Sequence, residues 1–264
     1  MEYRNLNGSE LTFEQDGNLA FNEEEHIYTL DGVGKLTSVS NVVSKFFKEF
    51  EAEKISLRKC NNDAEAAEKL REVWESKGAI ASQAGTFLHK QIEDYLNGKQ
   101  VPDLLCNVRY EGKHMNLNER MDISREWRYF KAFERDIPFV PFRTEWRIYD
   151  ADAKVAGTLD LVCACADGTY EIYDWKRSNK IDPFERNPWA NGMNGLGHLT
   201  DTSYIHYCLQ QNLYRYMLEK NYGIKVSRMN LVVLHPELPK YRVVPIPPMD
   251  KEVAVMLAKL PSLM

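Results

Sequence analysis

Two aspartates and a lysine lie in a stretch of the chain that otherwise has the composition of a protein core. Residues 156–180 read AGTLDLVCACADGTYEIYDWKRSNK, and two apolar runs meet there at Asp167-Gly168. Asp160 lies in the first run, and Asp174 and Lys176 end the second. Apolar runs joined at Asp-Gly predict a β-hairpin. Charged groups are costly on buried strands unless they are paired or bind an ion, so these three residues are candidates for chemistry.

The length of the hairpin loop decides whether these charges share one face of the sheet. A two-residue loop puts the aspartates on opposite faces. A three-residue loop over 166–168, with Gly168 in the left-handed conformation, sets Asp160 opposite Asp174. The same register leaves Lys176 on that face. Asp-Gly suits both loops, and we expect the longer one because only it makes the three charges one site.

Such a group of charges can bind a divalent cation. Two carboxylates supply the hard oxygen ligands that Mg²⁺ and Mn²⁺ prefer, with positions left for water and a phosphate oxygen. Lys176 can then position or deprotonate an attacking water and offset charge that develops on the phosphate. The alternative is a cross-strand Asp–Lys salt bridge on a solvated face. Val162 and Ile172 share the predicted face, and these apolar neighbours favour the metal site.

Two predicted helices add polar pairs spaced one turn apart. In GTFLHKQIEDYL, residues 85–96, the pair is His89 and Glu93, and in LQQNLYRYML, residues 209–218, it is Gln210 and Tyr214. Taken singly, the first pair suits a surface His–Glu contact and the second an ordinary amphipathic helix. They become candidates for the same site only in combination with the hairpin.

A further carboxylate precedes the hairpin. Glu145 lies in FRTEWRIYD, residues 142–150, whose alternation predicts a strand. It is either a third carboxylate near the metal or a partner for Arg143 or Arg147. The sequence leaves both interpretations open.

The amino-acid composition limits the classes of protein to which this chain can belong. The 264 residues are 44% hydrophobic and 28% charged, so a buried core is expected and wholesale disorder is not. No run approaches the roughly 18 apolar residues of a membrane span, and the start MEYRNLNGSE lacks the apolar stretch of a signal peptide. We therefore expect a soluble, intracellular protein with no membrane partner. Five cysteines without a CxxC pair predict reduced thiols, without zinc or an iron–sulfur cluster. The net charge of −5 argues against indiscriminate coating of nucleic acid but allows a local basic groove.

The periodicity along the chain predicts a mixed α/β protein. Predicted helices cover about 51–77, 79–97, 119–135, 203–221 and 249–260. Predicted strands cover 26–30, 142–150, 157–166, 169–178 and 229–235. Ser38 or Ser40 is expected to cap a short helix with Val42, Val43 and Phe46, and residues 98–118 are expected to form a loop.

Taken together and in this order, the motifs around these candidate residues resemble those of the PD-(D/E)XK nuclease superfamily. They are most similar to its RecB-like branch, which includes nuclease domains of recombination helicases, mitochondrial single-strand exonucleases and phage exonucleases. The resemblance covers most of residues 26–248. It implies a restriction-endonuclease-like core, with a central mixed sheet flanked by helices, plus an N-terminal helical elaboration. The matching pieces are GTFLH with His89, the strand glutamate Glu145, AGTLD with Asp160, YDWK with Asp174 and Lys176, and Gln210 with Tyr214.

The resemblance also implies a role for each matching residue. His89, Asp160 and Asp174 would ligate Mg²⁺ or Mn²⁺, with the backbone carbonyl of Trp175 as a further ligand. Lys176 would be the catalytic lysine. The remaining assignments are Glu145 and Glu93 as supporting residues and Gln210, Tyr214, Arg177 and Lys180 as nucleic-acid-binding residues. Unlike several relatives, this chain lacks the four cysteines of an iron–sulfur cluster, and Gly157-Thr158-Leu159 stands where the superfamily name implies a proline.

The implied activity is metal-assisted hydrolysis of phosphodiester bonds. We expect a DNA exonuclease that prefers single strands or strand ends and serves recombination, repair or phage DNA metabolism. Residues 1–135 would supply His89 and a DNA-binding arch, and residues 136–264 would form the nuclease core, within one compact unit. Two alternatives stay open: a catalytically inactive nucleic-acid-binding module on the same fold, and a metal-dependent hydrolase of a small phosphorylated molecule. The sequence indicates no protein partner.

Overall fold

The computed structural model describes residues 3–22, 25, 27–101, 103–187 and 189–263. The chain divides into two compact units. The first, here called the sheet unit, comprises Met1–Lys48, Ile137–Val233 and Arg242–Met264. The second, here called the helical unit, comprises Glu49–Asp136 and Leu234–Tyr241. No helix of the described residues is both long enough and apolar enough to span a membrane.

Groups of strands and groups of helices follow one another along the chain. The strands are β1 (Leu19–Asn22), β2 (Ile27–Leu30), β3 (Gly34–Ser38), β4 (Leu105–Glu111), β5 (Asn116–Asp122), β6 (Val140–Asp150), β7 (Val155–Ala164), β8 (Tyr170–Lys176), β9 (Val226–Val233) and β10 (Arg242–Pro245). The helices are α1 (Val39–Ser44), α2 (Ala52–Lys59), α3 (Ala64–Leu96), α4 (Ser124–Asp136), α5 (Ser203–Asn221) and α6 (Asp250–Lys259), followed by a 3₁₀ turn (Leu260–Ser262).

The sheet unit is built on one mixed sheet. Its strands follow the order β1-β2-β3-β7-β8-β9-β10, and β6 pairs with β7 beside this path. The pairs β3–β7 and β8–β9 are parallel, and the other pairs are antiparallel. Helix α5 packs against β6 and β9, and α1 packs against β7. The predicted mixed α/β class, a central mixed sheet flanked by helices, is confirmed.

The first residues of the chain belong to the sheet unit because β3 pairs with β7. Thr37 lies beside Val155 in this parallel pair, and α1 follows at once. Ser38 caps α1, as predicted, by accepting a hydrogen bond from the Asn41 N–H at 3.2 Å. Residues 1–48, which the sequence prediction assigns to one region with residues up to 135, belong to the sheet unit. Of the strand predicted at 26–30, residues 27–30 are β2, and His26 lies outside the described residues.

A buried ion pair fastens the N-terminal segment to β6. Arg143 is 2% exposed, and its Nη1 donates to both carboxylate oxygens of Asp16, at 2.9 and 2.7 Å. Its guanidinium carbon also lies 4.5 Å from the ring centre of Trp146 and 4.8 Å from that of Phe13. A planar guanidinium can accept stacking rings while it binds a carboxylate. Of the two arginines considered as partners for Glu145, Arg143 is thus engaged by Asp16.

The helical unit is dominated by one helix of 33 residues, α3. Asp63 caps its first turn, with Oδ1 accepting two backbone N–H groups at 3.0 Å. The predicted break after residue 77 is wrong, since Gly78 lies inside the helix. A single glycine costs a helix only about 1 kcal/mol, and residues packed along α3 outweigh that cost. The actual break falls between α2 and α3, around the positive φ angles of Asn61 and Asn62.

Two strands occupy the region predicted as a loop over 98–118. β4 and β5 form an antiparallel hairpin, and α4 begins after it, at Ser124 rather than at residue 119. Only Cys106 and Val108 of the paired residues are buried, so the alternation of apolar residues is faint in the sequence.

The tip of this hairpin is held by a buried carboxylate of α3. Glu72 is 6% exposed and accepts from the His114 N–H at 2.8 and 3.0 Å and from the Met115 N–H at 2.9 Å. A Cβ added at Gly112 would overlap the Glu72 carboxylate. The glycine thus lets the turn approach the acid that satisfies its backbone donors.

Candidate active site

The hairpin of β7 and β8 has the longer of the two loops considered. Cys165 N–H donates to the Thr169 carbonyl at 2.8 Å, which leaves residues 166–168 as the loop. Gly168 has a φ of +82°, the left-handed conformation that glycine adopts without steric cost. The paired residues run from Ala164 opposite Tyr170 to Leu161 opposite Tyr173, and Asp160 and Asp174 are the residues just beyond the last pair. The predicted register is confirmed.

A third carboxylate falls in the same row. In β6, Thr144 pairs with Leu161 and Trp146 pairs with Leu159, and these pairs bracket Glu145 and Asp160. Carboxylate oxygens of Glu145 and Asp160 lie within 4.8 Å of each other. Glu145 has a φ of +44°, which is uncommon for a residue with a side chain and costs roughly 1–2 kcal/mol. Backbone strain of this kind is concentrated at functional sites.

Asp174 is buried and engaged through both carboxylate oxygens. It is 3% exposed; Oδ1 accepts from Gln211 Nε2 of α5 at 2.8 Å, and Oδ2 lies 2.5 Å from Lys176 Nζ. Asp160 is half-buried, and its Oδ2 accepts from the backbone N–H of Trp175 at 2.8 Å. Each aspartate is therefore oriented by a donor of a neighbouring element.

Lys176 lies between carboxylates and an aromatic ring. Its Nζ is 4.5 Å from the ring centre of Tyr207 on α5, a cation–π contact that suits an ammonium group. Burial lowers the pKa of Lys176, but the charges of Asp174 and Asp160 raise it by more, so the pKa lies above its ordinary value. The structure therefore stabilises the protonated lysine beside the acids.

Helix α5 approaches the sheet closely at the pair Gln210 and Tyr214. Gln210 Nε2 donates to the Tyr214 hydroxyl at 3.1 Å. Tyr214 is 4% exposed, and burial raises the pKa of its hydroxyl well above the ordinary value. A Cβ added at Gly157 would overlap the Tyr214 ring, so the glycine of AGTLD gives the ring its place against β7. Gln210, which is half-buried, presents more surface to solvent than Tyr214 does.

The other predicted site residues lie on α3 and just after β8. His89 is a half-buried residue of α3 in the helical unit, and one turn later Glu93 forms an ion pair with Lys90 at 3.0 Å. Arg177 is half-buried and Lys180 is exposed, in the segment that leads from β8 towards α5.

Sequence reasoning missed two parts of this arrangement. Gln211, rather than the neighbouring Gln210, contacts the acidic row directly, and the Trp175 N–H holds Asp160. Gln211 is 0% exposed, so its amide needs a buried partner, but the sequence carries no signal that selects it over Gln210.

The residues of the row suit a hard divalent cation. Glu145 and Asp160 bring two carboxylates close together, and Mg²⁺ and Mn²⁺ prefer oxygen ligands of this kind. Gln211 Oε1, beside Asp174, is a buried acceptor without a hydrogen-bond partner among the described residues. A site with several carboxylates and a buried amide oxygen that accepts no hydrogen bond can accommodate a cation and the water bound to it.

One comparison, with models of protein families, agrees with this geometry. A model of the PD-(D/E)XK nuclease superfamily matches residues 56–259. Among solved structures, 15 chains match; one, described as "Crystal structure of SSO0001", is 12% identical, with 86% of this chain and 75% of that chain covered and a TM-score of 0.33. No curated protein matches. The mixed sheet flanked by helices is consistent with a restriction-endonuclease-like core.

Proposed function

Because the chain belongs to the PD-(D/E)XK nuclease superfamily, we propose that it is a Mg²⁺- or Mn²⁺-dependent deoxyribonuclease. Membership of the superfamily supports a hydrolytic nuclease with a nucleic-acid substrate. The RecB-like motifs further favour an exonuclease that acts on single-stranded DNA or DNA ends, in recombination, repair or phage DNA metabolism. The observation that carries the proposal is the row of Glu145, Asp160 and Asp174 across three adjacent strands, with Lys176 beside it.

The metal ligands we propose come from this row and from the family motifs. Asp160 and Asp174 are the central ligands, with Glu145 in support and the Trp175 carbonyl as a further ligand. His89 completes the set by the resemblance of its GTFLH motif, with Glu93 as its support. A bound Mg²⁺ or Mn²⁺ would polarise the phosphate and increase the acidity of a water molecule.

The side chains of the sheet unit supply the rest of the chemistry. Lys176 would orient the attacking water and offset the negative charge that grows on the phosphate oxygens. The water oxygen forms the new bond to phosphorus as the bond from phosphorus to the leaving sugar oxygen breaks, and the leaving oxygen takes up a proton. Gln210, positioned by Tyr214, would contact the nucleic-acid backbone, as would Arg177 and Lys180.

Cleavage of end-labelled linear DNA tests this function. We expect cleavage with Mg²⁺ and with Mn²⁺, none with chelator, and a loss of about 10²-fold or more for Asp174→Ala and for Lys176→Ala. Asp167→Ala changes an exposed aspartate of the same hairpin and should cut like the wild type. Circular dichroism would show that each variant is folded. Full activity in either site variant would refute the assignment.

The requirement for an end needs a separate comparison. The same single strand is offered as a linear molecule and as a closed circle, with equal amounts of enzyme and metal. An exonuclease degrades the linear strand and leaves the circle intact. Equal cutting of both would replace the exonuclease proposal with an endonuclease.

A further inference from the structure

The segment between β8 and α5 carries the most exposed large hydrophobic side chains of the described residues. Phe184 is 84% exposed and Trp189 is 91% exposed. Aromatic side chains of this size usually bury most of their surface, since burial is their main contribution to stability. Two such rings in one short segment therefore indicate a binding role.

The backbone that carries the two rings is fixed on both sides. Before them, Ile181 is 0% exposed, and its carbonyl accepts from the Arg242 guanidinium. The Phe184 N–H donates to Asp182 Oδ1 at 2.8 Å, and the Trp189 N–H donates to Asn187 Oδ1 at 3.0 Å.

Between the rings, Asn187 ties the segment to its own C-terminal end. The Asn187 N–H donates to Thr200 Oγ1 at 2.8 Å, and Asn187 Nδ2 donates to the Asp201 carbonyl at 3.0 Å. Leu196, between these partners, is 0% exposed. Hydrogen bonds of the segment thus lie next to both exposed rings.

The segment connects two elements that carry residues of the site. It begins after Lys176, the last residue of β8, and it ends at Ser203, the first residue of α5. The first turns of α5 carry Tyr207, whose ring centre is 4.5 Å from Lys176 Nζ. The segment is therefore joined at both ends to elements that contribute residues to the site.

We propose that Phe184 and Trp189 stack on unpaired nucleobases of the nucleic acid bound at the row. This proposal rests on the proposed nuclease function and names the form of substrate that the site takes. A nucleobase presents a flat π-face that an exposed aromatic ring can cover, whatever the base. Arg186 lies between the two rings in the chain and is exposed, so it is available for the phosphates that connect stacked bases.

The chemistry of the segment favours nucleobases over a protein partner. The core of a protein interface is apolar and depleted of charged residues. Here Glu185, Arg186 and Asn187 stand between the two rings, and the first two are exposed. Separate aromatic rings with polar residues between them are typical of a protein surface that stacks on the bases of a nucleic acid while polar groups face its charged backbone.

The test compares two labelled single strands of equal length, one with bases and one built of abasic sites. Binding is measured by fluorescence anisotropy with Ca²⁺ in place of Mg²⁺, and gels verify that the strands stay intact. We expect Phe184→Ala and Trp189→Ala each to weaken binding of the base-bearing strand by roughly 5- to 150-fold. Binding of the abasic strand should not change, and Trp189→Phe should restore most of the loss.

Met193→Ala is the matched control, because Met193 is an aliphatic residue of the same segment and is 41% exposed. It should bind both strands like the wild type. Equal affinity of Trp189→Ala and wild type for the base-bearing strand would overturn the proposal. An equal loss of affinity for both strands would also overturn it. The proposal would fail as well if the wild-type protein self-associates in sedimentation and Phe184→Ala or Trp189→Ala abolishes that self-association.

Cleavage by the wild-type protein with Mg²⁺ separates this inference from the nuclease function. Without cleavage of any DNA, the proposed function fails and this inference fails with it. With cleavage but no dependence of binding on the bases, only the inference fails.

Discussion

Replacement of Gln211 by leucine should weaken metal binding although Gln211 is not among the metal ligands we propose. The Gln211 amide donates to Asp174 at 2.8 Å, and both side chains are buried. Leucine has a similar volume but cannot donate a hydrogen bond. The change therefore leaves one oxygen of a proposed metal ligand without its donor and lets the carboxylate rotate.

The size of the effect follows from the burial of the acid. A hydrogen bond to a charged group contributes about 1.5–3 kcal/mol, and Asp174 at 3% exposure cannot recover the bond from water. Residues that orient metal ligands typically change affinity by about 10- to 100-fold when they are removed. Since a factor of ten is about 1.4 kcal/mol, the two figures agree. We expect Gln211→Leu to bind Mn²⁺ about 10- to 100-fold more weakly.

Titration calorimetry with Mn²⁺ measures this affinity, and urea denaturation measures the free energy of unfolding. Asn212→Leu is the control. Asn212 is the buried residue that follows Gln211 in α5, and its amide donates to the carbonyls of Cys208 and Pro247. Its replacement by leucine should lower the free energy of unfolding without changing the affinity for Mn²⁺. Wild-type Mn²⁺ affinity in Gln211→Leu would refute the reasoning, as would an equal loss of affinity in Asn212→Leu.

Three further predictions concern stability. Asp16→Ala should lower the free energy of unfolding in urea by about 3 kcal/mol, because it leaves a buried guanidinium unpaired, and adding Arg143→Met should recover part of that loss; a loss below about 1 kcal/mol would mean that the pair behaves like a surface salt bridge. Glu72→Ala should cost about 1–3 kcal/mol for each backbone donor it exposes and should speed hydrogen exchange at His114, whereas unchanged exchange would show that the hairpin tip does not need the acid. Burial raises the pKa of the Cys208 thiol to about 11, against a smaller lowering by its hydrogen bond with Tyr204. The unfolded thiol ionises near pH 8.5 while the folded one keeps its proton, so unfolding free energy should fall by about 1.4 kcal/mol per pH unit from there to about pH 11. Urea denaturation of Cys208→Ala should show a shallower decline, and an equal slope would contradict the assignment.

Much of the fold could be predicted where local signals agree with packing. Helix α5 was predicted at about 203–221 and spans Ser203–Asn221, where Thr202 caps its first turn. The helices predicted over about 51–77 and 79–97 leave a break at Gly78, which packing along α3 overrides. The strands β4 and β5 were missed because most of their side chains are exposed, so little hydrophobic alternation remains to mark them.

The candidate site shows the same limit at finer scale. The register of the β7–β8 hairpin could be predicted only by choosing between two loops that Asp-Gly suits equally, and the place of Glu145 was one of two open interpretations; Gly168 has the left-handed conformation of the longer loop. The positive φ of Glu145 could not be predicted, because strand alternation carries no signal for one strained residue. The bond from Gln211 to Asp174 depends on the rotation of α5 over the sheet, which tertiary packing decides.

Gly157 sets the gap between a helix and the sheet. Because Gly157 has no side chain, the Tyr214 ring can pack against β7. This contact brings α5, which carries Tyr214, close to the sheet. A methyl group there would lift the helix from the strands and draw Gln211 out of reach of Asp174, although no ionisable group would have changed. One added carbon atom at Gly157, a residue with no role in the proposed reaction, could thus abolish the nuclease activity.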